Sequence, residues 1–155
     1  MPQRAVELIL ARQLASGIAV PVLLVDGRGD MIYINEPAEA VFGRRFDEID
    51  SLPLAQRAAI LSPRDRDGQP RPADQLPGVR AIRERRPVHD AFWINGLDGR
   101  PRATESTAIP LQGVEETVVG ALVFIWLSDI PPAVALHLTG SVALAGRGGA
   151  ASGHD

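Results

Sequence analysis

The chain has no cysteine. That excludes disulfides, thiolate metal sites, cysteine nucleophiles and thiol-linked chromophores. It has no lysine either: its basic side chains are arginines and three histidines. Arginine without lysine, beside abundant alanine, glycine and proline, is the signature of GC-rich coding and leads us to expect a bacterial source. Tyrosine occurs once, so any chemistry that needs a phenol depends on Tyr33. The net charge is only −3, and nothing draws the whole molecule toward nucleic acid or an anionic membrane. No run is long and apolar enough to span a bilayer. The opening "MPQRAVELILARQLAS" is broken by Glu7, Arg12 and Gln13 and is not a secretory leader. A cytoplasmic protein is expected.

What is present fits one domain with a sizeable core, since 155 residues are 45% hydrophobic and 23% charged. Arg4 to Ser16 reads as a helix. Val6, Ile9, Leu10 and Leu14 form one apolar stripe on it, which can pack on its own domain or pair with a second copy. Val20 to Asp26 and Met31 to Ile34 read as strands. Between them "DGRGD" supplies two glycines and two turn-bonding aspartates, a hairpin connection in which Arg28-Gly29-Asp30 is backbone chemistry and not an adhesion signal.

In "NEPAEAVFG", Asn35 caps a short helix by accepting from the Ala38 amide, Pro37 sits in the first turn, and Gly43 ends it. "RRFDEID" and "PLAQRAAIL" read as further helical turns. Ser62 to Ala73 is a polar, proline-rich loop. Asp74 is expected to cap "QLPGVRAIRERR", a helix with Leu76, Val79 and Ile82 on its apolar face. Three strands follow: Val88 to Asn95, Arg102 to Leu111, and Thr117 to Leu127. The last is apolar on both faces and must be buried on both. After Pro131-Pro132 the chain turns to small residues, and the last ten or so are expected to be disordered.

The order and motifs of "PVLLVDGRGDMIYINEPAEAVFGRRFDEI", "LPGVRAIRERRPV", "FWINGLDGRPRATESTAIPL" and "GALVFIWLSDI" resemble a PAS domain. The likeness is to small bacterial proteins in which one such domain with a leading helix makes up nearly the whole chain. The resemblance implies an α+β fold: a five-stranded antiparallel sheet in the order 2-1-5-4-3 with short helices over one face. It divides the chain into a leading helix (1–17), the PAS domain (18–130) and a tail (131–155). It also implies a sensory module that holds a small molecule between sheet and helices, dimerises through the leading helix, and signals to a separate protein because no effector domain follows.

Each sensing chemistry can be checked against the residues. Cysteine-linked flavin photochemistry is excluded. Haem is disfavoured, because the helix around 74–86 has no histidine and His89 only starts the next strand. A non-covalent flavin or a small apolar metabolite stays open. The cavity candidates are Phe42, Phe46, Val79, Ile82, Phe92, Thr104, Ser106 and Phe124. The inward placement of Thr104 and Ser106 rests on alternation: the opposite choice would bury Glu105. Whether Phe92 or Trp93 faces inward is left open. The dimer candidates are Val6, Ile9, Leu10 and Leu14.

Other constellations have plainer readings. His89 and Asp90 are strand neighbours that point to opposite faces, so they form no metal or acid–base pair. Asp65-x-Asp67-Gly68 lacks the spacing and closing glutamate of a calcium loop and is turn chemistry. Arg80, Arg83, Arg85 and Arg86 make a solvated helix face, with no reading helix or aromatic platform for nucleic acid. Two rival readings are kept. One is a cone-shaped isomerase like ketosteroid isomerase, using Tyr33 and Asp90. The other is a PAS scaffold whose cavity is filled by its own side chains.

Overall fold

The computed structural model describes residues 5–43, 52–96 and 98–128. Its elements are α1 (Val6–Ser16), β1 (Val22–Asp26), β2 (Met31–Ile34), α2 (Glu36–Phe42), α3 (Leu54–Leu61), α4 (Pro77–Glu84), β3 (Val88–Asn95), β4 (Pro101–Gln112) and β5 (Val118–Leu127). The five strands form one antiparallel sheet in the order β2-β1-β5-β4-β3, as the resemblance implies.

The β1–β2 connection is tied down by the residues that the sequence singled out. The Asp26 carboxylate accepts from the amides of Arg28 and Asp30, and Gly29 takes φ +85°. Beyond β2, the Asn35 side chain accepts from the Ala38 amide at 3.1 Å and opens α2, and Gly43 closes it at φ +79°. The β3–β4 turn uses Asp98, which accepts from the Arg100 amide and from the Arg102 guanidinium. Asp65 likewise accepts from the amides of Asp67 and Gln69, so that stretch is a turn. The loop after α3 also covers a sheet edge. The amide and carbonyl of Arg64 exchange hydrogen bonds with those of Trp93 on β3, which removes an unpaired strand edge.

The sheet separates two apolar layers. On the inner face Leu23, Val25, Ile34, Phe92, Ile94, Ala108, Val123 and Ile125 pack with Phe42, Leu61 and Ala81 from the helices. On the outer face Val22, Leu24, Ile32 and Leu122 pack with Leu8, Ala11 and Ala15 of α1. This is the cover that a doubly apolar β5 requires.

Two local expectations are corrected. Asp74 does not cap α4: it lies in a separate 3-10 turn (Ala73–Gln75), the N-cap is Leu76, and no side chain caps it. Of the expected apolar face, Leu76 is buried and Val79 and Ile82 pack partly covered against the core, but the side of α4 buried most closely on the sheet is Pro77, Gly78 and Ala81. The reason is distance. A Cβ on Gly78 would stand 3.2 Å from Val123 and 3.3 Å from Val25, so only small residues let this helix lie so close to the sheet. The expected turns at "RRFDEID" and the tail 131–155 lie outside the described residues.

Candidate functional site

A cavity of about 40 Å³ lies between the inner face of the sheet and the helices. The sheet contributes Phe92 and Ser106 from its β3–β4 side and Val123 and Ile125 from β5; the helical side contributes Phe42 of α2 and Arg57 and Leu61 of α3. The walls are almost wholly apolar. Ser106 and Arg57 are the exceptions, and Arg57 is only 4% exposed.

Several features hold Arg57 there. It sits four residues before Leu61 on α3, so both side chains leave the same face of the helix. The first amide of α3, Leu54, donates to Asp30 Oδ1 at 2.8 Å, which satisfies a helix-end donor and fastens α3 to the β1–β2 turn. Burial lowers the guanidinium's pKa to about 10, while Asp30 and Asp26 act through space in the opposite direction. The group therefore stays charged at neutral pH. Its Nε is buried and has no hydrogen-bond partner among the described residues.

Thr104 and Asp90, close by, are already engaged. The Thr104 hydroxyl donates to the Phe92 carbonyl at 2.9 Å. Asp90 pairs with Arg71, whose guanidinium lies 5.1 Å from the Phe92 ring centre, and more loosely with Arg80 at 3.8 Å. His89 points to the other face, bonded through Nδ1 to the Thr107 hydroxyl at 2.8 Å.

This architecture agrees with the comparisons. A family model described as a PAS fold matches residues 16–126. The chain belongs to the PAS-fold family. Solved PAS structures resemble it at low identity. The PAS domain of Bordetella pertussis BvgS is 19% identical with a TM-score of 0.57, covering 90% of this chain and 98% of that one. The PAS domain of the fruit-fly ELK potassium channel is 11% identical with a TM-score of 0.59, covering 77% and 95%. The Rhodobacter sphaeroides LOV protein is 13% identical with a TM-score of 0.56, covering 79% and 67%. At these identities the likeness is one of fold. No curated protein matches the sequence.

Within this PAS fold the expected cavity residues separate. Phe42, Phe92 and Ser106 line the cavity. Phe92 faces inward, buried in the inner core and lining the cavity, and its strand neighbour Trp93 points to the opposite face. Thr104 and Ser106 are both buried on the inner face, at 0% and 1% exposure. Thr104 lies outside the lining, its hydroxyl spent within the sheet. Val79 and Ile82 pack against the core but do not reach the cavity, and Val79 abuts the β1–β2 turn at Gly29. Phe124 is misassigned: it lies on the outer face beneath α1, and its neighbours Val123 and Ile125 line the cavity instead. With both faces of β5 apolar, alternation alone could not tell which was which. Phe46 lies outside the described residues.

The N-terminal helix presents the converse surprise. Leu8, Ala11 and Ala15 bury it on the sheet, while the expected stripe points away, from 46% exposure at Ile9 to 64% at Val6, with Leu10 and Leu14 between. Arg57 was missed altogether. Nothing in "PLAQRAAIL" marks its arginine as buried; the only clue was that an arginine stands four residues before a core leucine.

The isomerase reading does not survive the geometry. Tyr33 belongs to the outer layer, with the Arg12 guanidinium 4.9 Å from its ring centre, and Asp90 sits beside Ser106 on the inner side. The sheet separates the two groups. Among the described residues no helix is long and apolar enough to cross a membrane.

Proposed function

We infer that the chain is a sensory module whose input is a small molecule held in the cavity of its PAS fold. The observation that carries this is the cavity itself: apolar walls from sheet and helices, with one buried guanidinium and one hydroxyl-bearing residue among them. Such a mixture of apolar surface and few polar groups is the usual make-up of a ligand site. At about 40 Å³ the cavity suits a small metabolite. His89, turned to the opposite face, offers a haem iron no ligand.

Occupancy would be transmitted through α3. That helix carries Arg57 and is fastened by Asp30 to the β1–β2 turn, so its displacement moves the strands that α1 covers. Output would run through the exposed stripe Val6, Ile9, Leu10 and Leu14, which would join two copies and whose packing a separate signalling protein would read.

The test is a thermal-shift and two-dimensional NMR screen of the purified protein against small acids, amides, alcohols and sugars. A compound that raises Tm and moves the resonances of Phe92, Ser106 and Ile125 is expected, and Ser106→Leu, which fills the cavity, should abolish the response. If no compound moves those resonances, the module is a ligand-free scaffold.

A further inference from the structure

Among the described residues, the cavity holds a charge without a counter-charge in contact. Arg57 is 4% exposed, lines the cavity, and keeps an unpartnered Nε. The acids that act on it, Asp30 and Asp26, do so through space without a hydrogen bond. Their Oδ1 atoms are occupied: Asp26 by the amides of Arg28 and Asp30, Asp30 by the amide of Leu54. A buried cation in this position is costly unless a partner meets it, and a guanidinium offers a fork of donors matched to a carboxylate. Of the remaining walls Ser106 alone carries a polar side-chain atom, and Phe42, Leu61 and Ile125 offer apolar contact.

The geometry points to a short aliphatic monocarboxylate as the occupant, its carboxylate against Arg57 and its tail among Phe42, Leu61 and Ile125. This rests on reading the cavity as a ligand site and names the class of ligand. One cation among apolar walls neutralises one negative charge, which disfavours phosphate and dicarboxylates. The cavity is small, about 40 Å³, which favours a tail only a few carbons long.

The experiment titrates the full chain with sodium butyrate and, in parallel, with butyramide, its neutral near-isostere, following the cavity resonances and the Arg57 Nε–H signal by NMR. Butyrate is expected to bind at least tenfold more tightly than butyramide and to shift the Nε–H signal. In Arg57→Met the advantage of butyrate should vanish. The wild-type comparison stands even if that variant fails to fold. Equal binding of the two compounds would overturn the counter-ion role while leaving the cavity a ligand site. If neither compound binds but another member of the wider screen does, the carboxylate assignment fails and the sensory reading survives. Failure of every compound overturns both.

Discussion

The side-chain amide of Asn35 donates to the carbonyl of Ala15 at 3.0 Å, across 20 residues of sequence. The same Nδ2 reaches the Val20 carbonyl at 2.8 Å, and Oδ1 accepts from the amides of Val22 at 2.9 Å and Ala38 at 3.1 Å. One side chain therefore joins the end of α1, the start of β1 and the first turn of α2. Removing it strands several buried polar groups at once.

Asn35→Ala is accordingly expected to cost at least about 2 kcal/mol in urea unfolding, since each buried group left unsatisfied costs about 1–3 kcal/mol. Asn35→Asp keeps the acceptor for Ala38 but sets a carboxylate against the Ala15 and Val20 carbonyls. Hydrogen exchange should then accelerate at the end of α1 while α2 stays protected. Equal protection in α1 of both proteins would show that the Asn35 donor bonds do not hold the helix.

Gly120→Ala tests the closeness of β1 to β5. A Cβ there would lie 2.3 Å from the Val25 carbonyl oxygen and 2.8 Å from Leu8, so backbone must move. A loss of at least about 2 kcal/mol is expected, at the upper end of overpacking costs. Gly78→Ala should cost less, because it meets only valine methyl groups and gains helix propensity. Paired denaturation curves measure the order of the two effects, and its reversal would contradict this account of the packing.

The two faces of α1 predict opposite phenotypes. Leu10→Glu with Leu14→Glu changes exposed positions; it should leave Tm nearly unchanged and convert a dimer to monomer in analytical ultracentrifugation. Leu8→Glu buries a carboxylate against the sheet and should lower Tm sharply. A wild-type protein that sediments as a monomer at tens of micromolar would rule out the α1 stripe as a dimer contact.

Acid should reveal the β3–β4 turn. Arg102 donates to both oxygens of Asp98, at 2.7 and 2.8 Å, and with the Arg100 amide holds that carboxyl well below the usual carboxylate range. The folded state thus binds this proton less readily than the unfolded chain. The stabilisation is whole above the unfolded carboxylate pKa of about 4 and is lost as pH falls through the lower folded value. Asp98→Asn should be slightly less stable than wild type at pH 7, a small gap because the pair is partly exposed. Stability measured by urea unfolding should show the gap narrowing below about pH 4; a gap that widened in acid would contradict the assignment.

How much of this was legible in the sequence depends on how local each cause is. Turn and cap chemistry acts over a few residues, so "DGRGD", Asn35 before Pro37, and Asp65-x-Asp67-Gly68 could be read directly. The inward hydroxyls of Thr104 and Ser106 followed from strand alternation, because Glu105 between them gave the two faces different costs. The order of motifs carried the strand order. Tertiary structure alone decided the rest. β5 and α1 are apolar on more than one side, so their periodicity has no sign, and only the packing put Phe124 under α1, Val123 in the cavity and Leu10 in solvent. The burial of Arg57 is likewise a matter of what surrounds it. Local sequence says that an arginine is there; the sheet and helices that close around it decide that its charge is buried.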